Sequence, residues 1–239
     1  MTHPTTRANG LHHLAISTGN MKAQIEFFSD VLGMELVALY WMHGVEGTWH
    51  GFMRLNDTAS IAFVQNEKIA ATNPAIGISH AGNPGLPSAP GTMQHLAFNV
   101  DSDQELLAIR DRIRSRGINI FGPIDHGMCK SIYFGGLEGL SLEVATSAVA
   151  IDARAWIDPE VVTLAGIAPD ELTRYKRPAS YAGQGGKLPQ PPYDPAKPHQ
   201  LYPPAAYKAM LAMSDEELNK RASVPEPPVK VGATRESRH

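Results

Sequence analysis

Two copies of the triplet His-Leu-Ala, at residues 13–15 and 95–97, place an imidazole at the same point of two strand-like runs, LHHLAIST and MQHLAFNV. Side chains along a strand alternate between faces, so His13 shares its face with Ala15 and Ser17, and His95 with Ala97 and Asn99. The small neighbours leave room beside each imidazole. The opposite faces carry Leu14 with Ile16 and Leu96 with Phe98, which suit packing against helices. A third group is Glu143 in LSLEVAT, on the face of Ser141 and Ala145. A carboxylate inside an apolar run is costly unless its charge is balanced, and a metal ion would balance it. Two imidazoles and one carboxylate form the facial triad that favours Fe(II) and leaves positions for substrate and O2. The same three ligands plus water also describe catalytic zinc, and Mn and Ni accept them. Taken singly, each residue has a plainer reading: a hydrogen-bonded strand histidine, or an edge glutamate facing water. Repetition at equivalent points favours the ligand reading of His13, His95 and Glu143.

The elements that must position these groups also repeat. After the first strand, Asn20 can cap a helix whose apolar residues Met21, Ile25, Phe28 and Leu32 recur at helical spacing, with Gly33 as its stop. Three β-rich stretches follow: MELVALYWM, TWHGFMRLN and SIAFVQ. The second copy runs from MQHLAFNV through a helix capped by Asp101 or Ser102 and ended by Gly117. INIFGPI, KSIYFGG and LSLEVAT complete it. The pattern predicts an α+β fold of two βαβββ modules, at about 11–66 and 93–147, within a domain spanning 1–147. A Gly- and Pro-rich loop, 67–92, joins them and has the length of a lid or binding loop. Residues 148–239 hold 13 of the 19 prolines and read as a Pro-rich C-terminal extension of short helices, with a capping box at Ser214 and Glu217. This arm is expected to lie on the domain or on a second subunit, which makes it the expected route to a homo-oligomer. Its final dozen residues read as disordered.

A net charge of −3 and the lack of any Lys/Arg cluster argue against a nucleic-acid partner. No apolar run reaches the roughly 20 residues of a membrane helix, and the polar start MTHPTTRANG has no apolar signal core. The single cysteine, Cys129, fits a reducing compartment. A cytoplasmic location is expected.

The double βαβββ pattern, the strand-borne histidine in each copy, the helix end FFSDVLG and the ending SIYFGGLEGLSLEV resemble the vicinal oxygen chelate superfamily. That group includes glyoxalase I, extradiol ring-cleaving dioxygenases and bleomycin-resistance proteins. The resemblance covers about residues 10–147 and implies a sheet curled into a half-barrel around a metal chelated by neighbouring substrate oxygens. Glyoxalase I-like sites carry a carboxylate on the last strand of both copies, whereas Ala62 aligns with Glu143 here. Three ligands rather than four resembles the extradiol branch. By the same resemblance, Tyr133 is the expected hydrogen-bond donor to a bound catecholate and His126 the expected acid-base residue. The chain departs from that branch at Asp57-Thr58-Ala59-Ser60, where an acid-base histidine is usual; His50 and His80 are the substitutes to consider. The implied activity is Fe(II)-dependent cleavage of a catechol-like small molecule with O2. A glyoxalase-like metal-dependent lyase or isomerase, and a non-catalytic small-molecule binding protein, are the alternatives.

Overall fold

Both repeats form as the hydrophobic pattern directs. The computed structural model describes residues 7–230. In the first module β1 (His13–Ser17) is followed by α1 (Met21–Asp30), β2 (Glu35–Trp41), β3 (Trp49–Arg54) and β4 (Ser60–Gln65). A one-turn helix, α2 (Glu67–Ala70), opens the connection to the second module. That module is built of β5 (Leu96–Val100), α3 (Asp103–Ser115), β6 (Phe121–Asp125), β7 (Lys130–Gly135) and β8 (Ser141–Thr146). The Asn20 side chain accepts from the Ala23 amide at the start of α1, and Ser102 accepts from Glu105 at the start of α3, which satisfies amides that have no partner within the helix. Gly33 (φ +79) and Gly117 (φ +76) follow the two helices in the left-handed region, where a side chain would be strained.

Each module closes its own mixed four-stranded sheet, in the orders β1-β4-β3-β2 and β5-β8-β7-β6. These are open sheets, not a closed barrel. Within each, the first strand runs parallel to the last, and the β3–β4, β6–β7 and β7–β8 pairs are antiparallel. The registers superimpose the repeats. Ala15 pairs with Ala62 and Phe52 with Ala62 in the first sheet, while Ala97 pairs with Glu143 and Tyr133 with Glu143 in the second. The alignment of Ala62 with Glu143 is therefore a structural equivalence.

The helix-covered faces of both sheets contribute to one core. Phe28 of α1 is fully buried, its ring 4.9 Å from Phe63 of its own sheet and 6.4 Å from Phe98 of the other. Leu106, Ile113, Ile132 and Leu142 complete the same cluster from the second module. Polar ties reinforce the join. The Arg112 guanidinium donates to the carbonyls of Ser29, Asp30 and Val31 at the open end of α1, and Arg116 pairs with the Asp30 carboxylate. In the turn before β8, Glu138 accepts from the Gly19 amide at 2.7 Å and from the side chain of buried Gln24 at 2.8 Å.

The chain divides into two compact units, residues 8–39 with 49–179 and residues 40–48 with 180–230. The first holds both modules apart from a hairpin tip, together with α4 (Ala153–Trp156), α5 (Pro159–Leu164) and α6 (Pro169–Lys176). The second gathers that tip, α7 (Pro204–Leu211) and α8 (Asp215–Ala222). The Ser214–Glu217 capping box forms as the sequence predicts. Tyr193, His199, Tyr202 and Tyr207 make a small aromatic group. No residue from 148 to 230 is buried. Of the final dozen residues read as disordered, 231–239 lie outside the described residues. Among the described residues no helix is long and apolar enough to cross a membrane.

Because the core is shared, Phe28→Ala should cost about 3–5 kcal/mol in denaturant unfolding. Both modules should unfold in one transition. A loss below about 1 kcal/mol, or separate transitions for the two modules, would contradict a common core.

Candidate metal centre

Glu143 sits in the middle of β8, the strand flanked by β5 and β7, with its side chain 8% exposed. Its neighbours in sequence, Leu142 and Val144, enter the core, so the carboxylate is carried to the opposite face. There Glu143 Oε2 lies 2.9 Å from His95 Nε2. His95 immediately precedes β5, so the parallel β5–β8 pairing brings these two together.

The residue before the histidine fixes which ring nitrogen faces the carboxylate. The Gln94 amide nitrogen donates to the carbonyls of Asn83, Pro84 and Leu86 at 3.4, 2.9 and 3.3 Å. That orientation leaves Gln94 Oε1 towards His95 Nδ1, with which it forms a close hydrogen bond. An amide oxygen only accepts, so Nδ1 carries the hydrogen. With the hydrogen on Nδ1 so placed, the 2.9 Å approach of Nε2 to the carboxylate requires a proton or a metal cation between them. The long connection, through three of its carbonyls, thus sets the tautomer of a candidate ligand. Ligating histidines commonly have such a partner on the other nitrogen.

Next to the pair, the Tyr133 hydroxyl lies 2.9 Å from His126 Nε2, and Tyr133 is the cross-strand partner of Glu143. Burial pushes the Tyr133 phenol above its usual range; the Glu143 carboxylate adds to this and a hydrogen bond with Ser131 opposes it. Tyr133 therefore stays a protonated donor at neutral pH. His126 stands in the turn after β6, with the Gly127 amide donating to Asp125, as the Asp-His-Gly sequence predicts. Cys129 Sγ is 3.6 Å from Ser131 Oγ, a partly buried contact.

His13 has different surroundings. Its ring packs against Phe52 at 5.5 Å, and its Nδ1 is 2.9 Å from Nδ1 of His12. Strict strand alternation would put His12 on the face of Leu14 and Ile16, away from His13. His12 precedes β1, is not held to strand alternation, and its ring lies in edge contact with His13. In both repeats, then, the residue before the histidine occupies its Nδ1 and leaves Nε2. His50 is buried beside Phe52, and burial, followed by the nearby His13, holds it below the ordinary imidazole range. His80 lines a separate cavity with Ser17, Lys68 and Glu138.

The structure thus assembles four of the five sequence-derived residues, His95, Glu143, Tyr133 and His126, on the second sheet, and puts His13 on the first. Among the described residues no three His, Cys, Asp or Glu side chains lie close enough together to hold a metal ion. The faces bearing the candidate ligands are open: His13, Ala15 and Ser17 of β1 are exposed, as are Ala97 and Asn99 of β5. One chain supplies a pair and a single.

Residues 10–144, more than half of the chain, match the Glyoxalase/Bleomycin resistance protein/Dioxygenase superfamily, and the chain belongs to that family. Among solved structures, a glyoxylase/bleomycin resistance protein/dioxygenase domain from Frankia sp. EAN1pec is similar, at 13% identity and a TM-score of 0.46, over 59% of this chain and 98% of that one. TnmS3, an antibiotic binding protein from Streptomyces sp. CB03234, is 14% identical with a TM-score of 0.42, over 59% and 98%. The fosfomycin resistance protein FosX from Listeria monocytogenes is 18% identical with a TM-score of 0.38, over 59% and 94%. No curated protein matches this chain.

The Tyr133–His126 contact should appear as a coupling of about 0.5–1 kcal/mol in a double-mutant cycle of Tyr133→Phe and His126→Ala, read by denaturant unfolding. Strict additivity would mean that the hydrogen bond is absent in solution.

Proposed function

We propose that this chain is a divalent-metal oxidoreductase of the extradiol ring-cleaving kind, acting on a catechol-like or other vicinal-oxygen substrate. His95 and Glu143 would hold the ion together with His13. Support comes first from the buried Glu143 carboxylate facing an imidazole nitrogen whose partner nitrogen is already committed to Gln94. Donor atoms at right angles around an ion, each about 2.1 Å from it, stand about 3 Å apart, and the observed separation is 2.9 Å. Two imidazoles and one carboxylate suit Fe(II). When bound, that ion would supply Lewis acidity to two adjacent substrate oxygens and redox capacity towards O2.

His13 is assigned to the centre from a second copy of the chain. The exposed His13–Ala15–Ser17 face and the exposed flank of the His95–Glu143 pair favour this, since the shared core already covers the opposite faces. Two copies related by a twofold axis would complete two equal sites, as an isologous contact requires. The extension from residue 148 onward is assigned to the same association. It exposes Leu164, Leu188 and Leu201 and buries nothing, and helices of four to eight residues do not persist alone.

The chain's own residues then have distinct tasks. Tyr133, kept protonated by burial, donates to a substrate oxygen beside Glu143. His126 accepts or returns a proton through the Tyr133 hydroxyl, 2.9 Å from its Nε2. Gln94 holds the His95 ring in place. One observation favours the alternative, a lyase or isomerase working without O2: the His126–Tyr133 pair can move a proton with no oxidant.

Protein purified without chelators should retain about one metal ion per chain. His95→Ala and Glu143→Ala should abolish retention, and Gln94→Leu should weaken it by about 10–100-fold while leaving the fold intact. Iron-loaded, reduced protein should consume O2 with a catechol-like substrate, and Tyr133→Phe should slow turnover without releasing metal. Proton exchange from an enolisable substrate, with no O2 uptake across a catechol and hydroquinone panel, would favour the lyase or isomerase. Full metal retention by Glu143→Ala would remove the centre altogether.

A further inference from the structure

We infer that the cavity at the junction of the two modules binds a small organic monocarboxylate, at a site separate from the proposed metal ligands. It measures about 330 Å³, at the small end of ligand pockets. Ser17 and Gly19 from the end of β1, Lys68 and Ile69 from α2, Ser79 and His80 from the long connection, and Glu138 from the turn before β8 surround it. Ser17 is four residues beyond His13 on the same face of β1, about 13 Å away at about 3.3 Å per residue. The inference does not depend on a metal being bound.

The wall is fixed before any ligand arrives. Ser79 Oγ accepts from the Ala75 amide at 2.8 Å, the Gly77 amide donates to the His80 carbonyl at 2.7 Å, and the Ala89 amide donates to Ile78 at 2.8 Å. A preset wall reduces the entropy lost on binding. Glu138 is the one non-glycine residue with positive φ (56°) among the described residues. Such conformations persist where surrounding contacts enforce them, and they cluster at ligand clamps. Its two carboxylate oxygens are taken by the Gly19 amide and by Gln24, so its charge is committed to joining the modules.

The remaining polar groups define the ligand. Lys68 makes no salt bridge among the described residues, and the Glu138 oxygens are already taken by Gly19 and Gln24, so of the two charges in the lining the ammonium is the one open to a ligand. Ser79 Oγ lies 3.3 Å from the Ala75 carbonyl and 2.8 Å from His80 Nδ1. Nδ1 is thereby engaged, and Nε2 is the His80 ring nitrogen left for a ligand. With the Glu138 carboxylate in the same lining, one ammonium and one imidazole suit the single charge of a carboxylate better than a phosphate dianion, which the carboxylate would repel more strongly. Ile69 and Pro74 offer apolar surface to the rest of an organic acid.

The test uses the full chain, ¹⁵N-labelled and freed of metal by chelation, titrated with benzoate and, in parallel, with acetate and inorganic phosphate. Benzoate should shift the backbone amides of residues 66–80 and 137–140 saturably, and more strongly than phosphate does. Lys68→Met alters an exposed side chain, so the fold should be unchanged, and benzoate binding should weaken by about tenfold or more. His80→Ala should weaken it as well. The inference is overturned if no saturable shift appears in those segments, or if Lys68→Met and His80→Ala bind as the parent does. Equal binding of phosphate would overturn the carboxylate assignment. Shifts confined to residues 94–97 and 141–145 would place benzoate at the proposed metal ligands and likewise overturn it.

Discussion

Burial of the Glu143 carboxylate is the constraint around which the second module is arranged. β8 is paired on both sides, and Ser141, Leu142, Glu143 and Val144 are buried in succession. A charge there is tolerated only with compensation, because an unpaired buried carboxylate costs several kcal/mol or changes its ionisation. No lysine or arginine reaches it among the described residues. What faces it is one imidazole, set by Gln94, and Tyr133 across the strand pair. This cluster is poor at neutralising a carboxylate by itself and well suited to sharing it with a cation.

The internal repeat shows how one scaffold came to hold two unlike halves. The two sheets keep the same register, yet Ala62 replaces Glu143, Phe52 replaces Tyr133 and His50 replaces Ser131 at matching points. The first half has become a hydrophobic imidazole face in which His13 and His50 both pack on Phe52. The second has gathered the hydroxyls and the carboxylate. What remains common is the histidine that opens each repeat and the residue before it that occupies Nδ1. Under the proposed metal centre, divergence of this kind would leave neither half sufficient by itself.

Much of this was legible in the sequence. Alternation in LHHLAIST and LSLEVAT separated the core faces from the faces of His13 and Glu143, and caps such as Asn20 and Ser102 fell where side-chain oxygens can meet free amides. The alignment of Ala62 with Glu143 followed from the repeat, and the pairing registers reproduce it. What alternation could not supply was the direction in which the two sheets face, because that is decided by packing between helices. Phe28 reaches Phe98 as well as Phe63, so the faces that carry His13 and Glu143 lie away from the common core. Gln94 and Glu138 were also missed. Each acts through contacts with residues distant in sequence or through a backbone conformation, and neither leaves a periodic signal. The extension after residue 147 gave only its composition and one capping box, since its order does not come from burying its own side chains.

The claim that the centre combines the His95–Glu143 pair of one chain with His13 of another can be tested by mixing two defective proteins. His13→Ala and Glu143→Ala are each expected to lack bound metal. Unfolded together and refolded, they should regain it, approaching about one ion per four chains if twofold pairs assemble at random with one intact site in each mixed pair. Metal measured in the mixture at that level, and in neither protein refolded alone, is the expected result. Recovery of no metal from the mixture, or full retention by His13→Ala by itself, would contradict it.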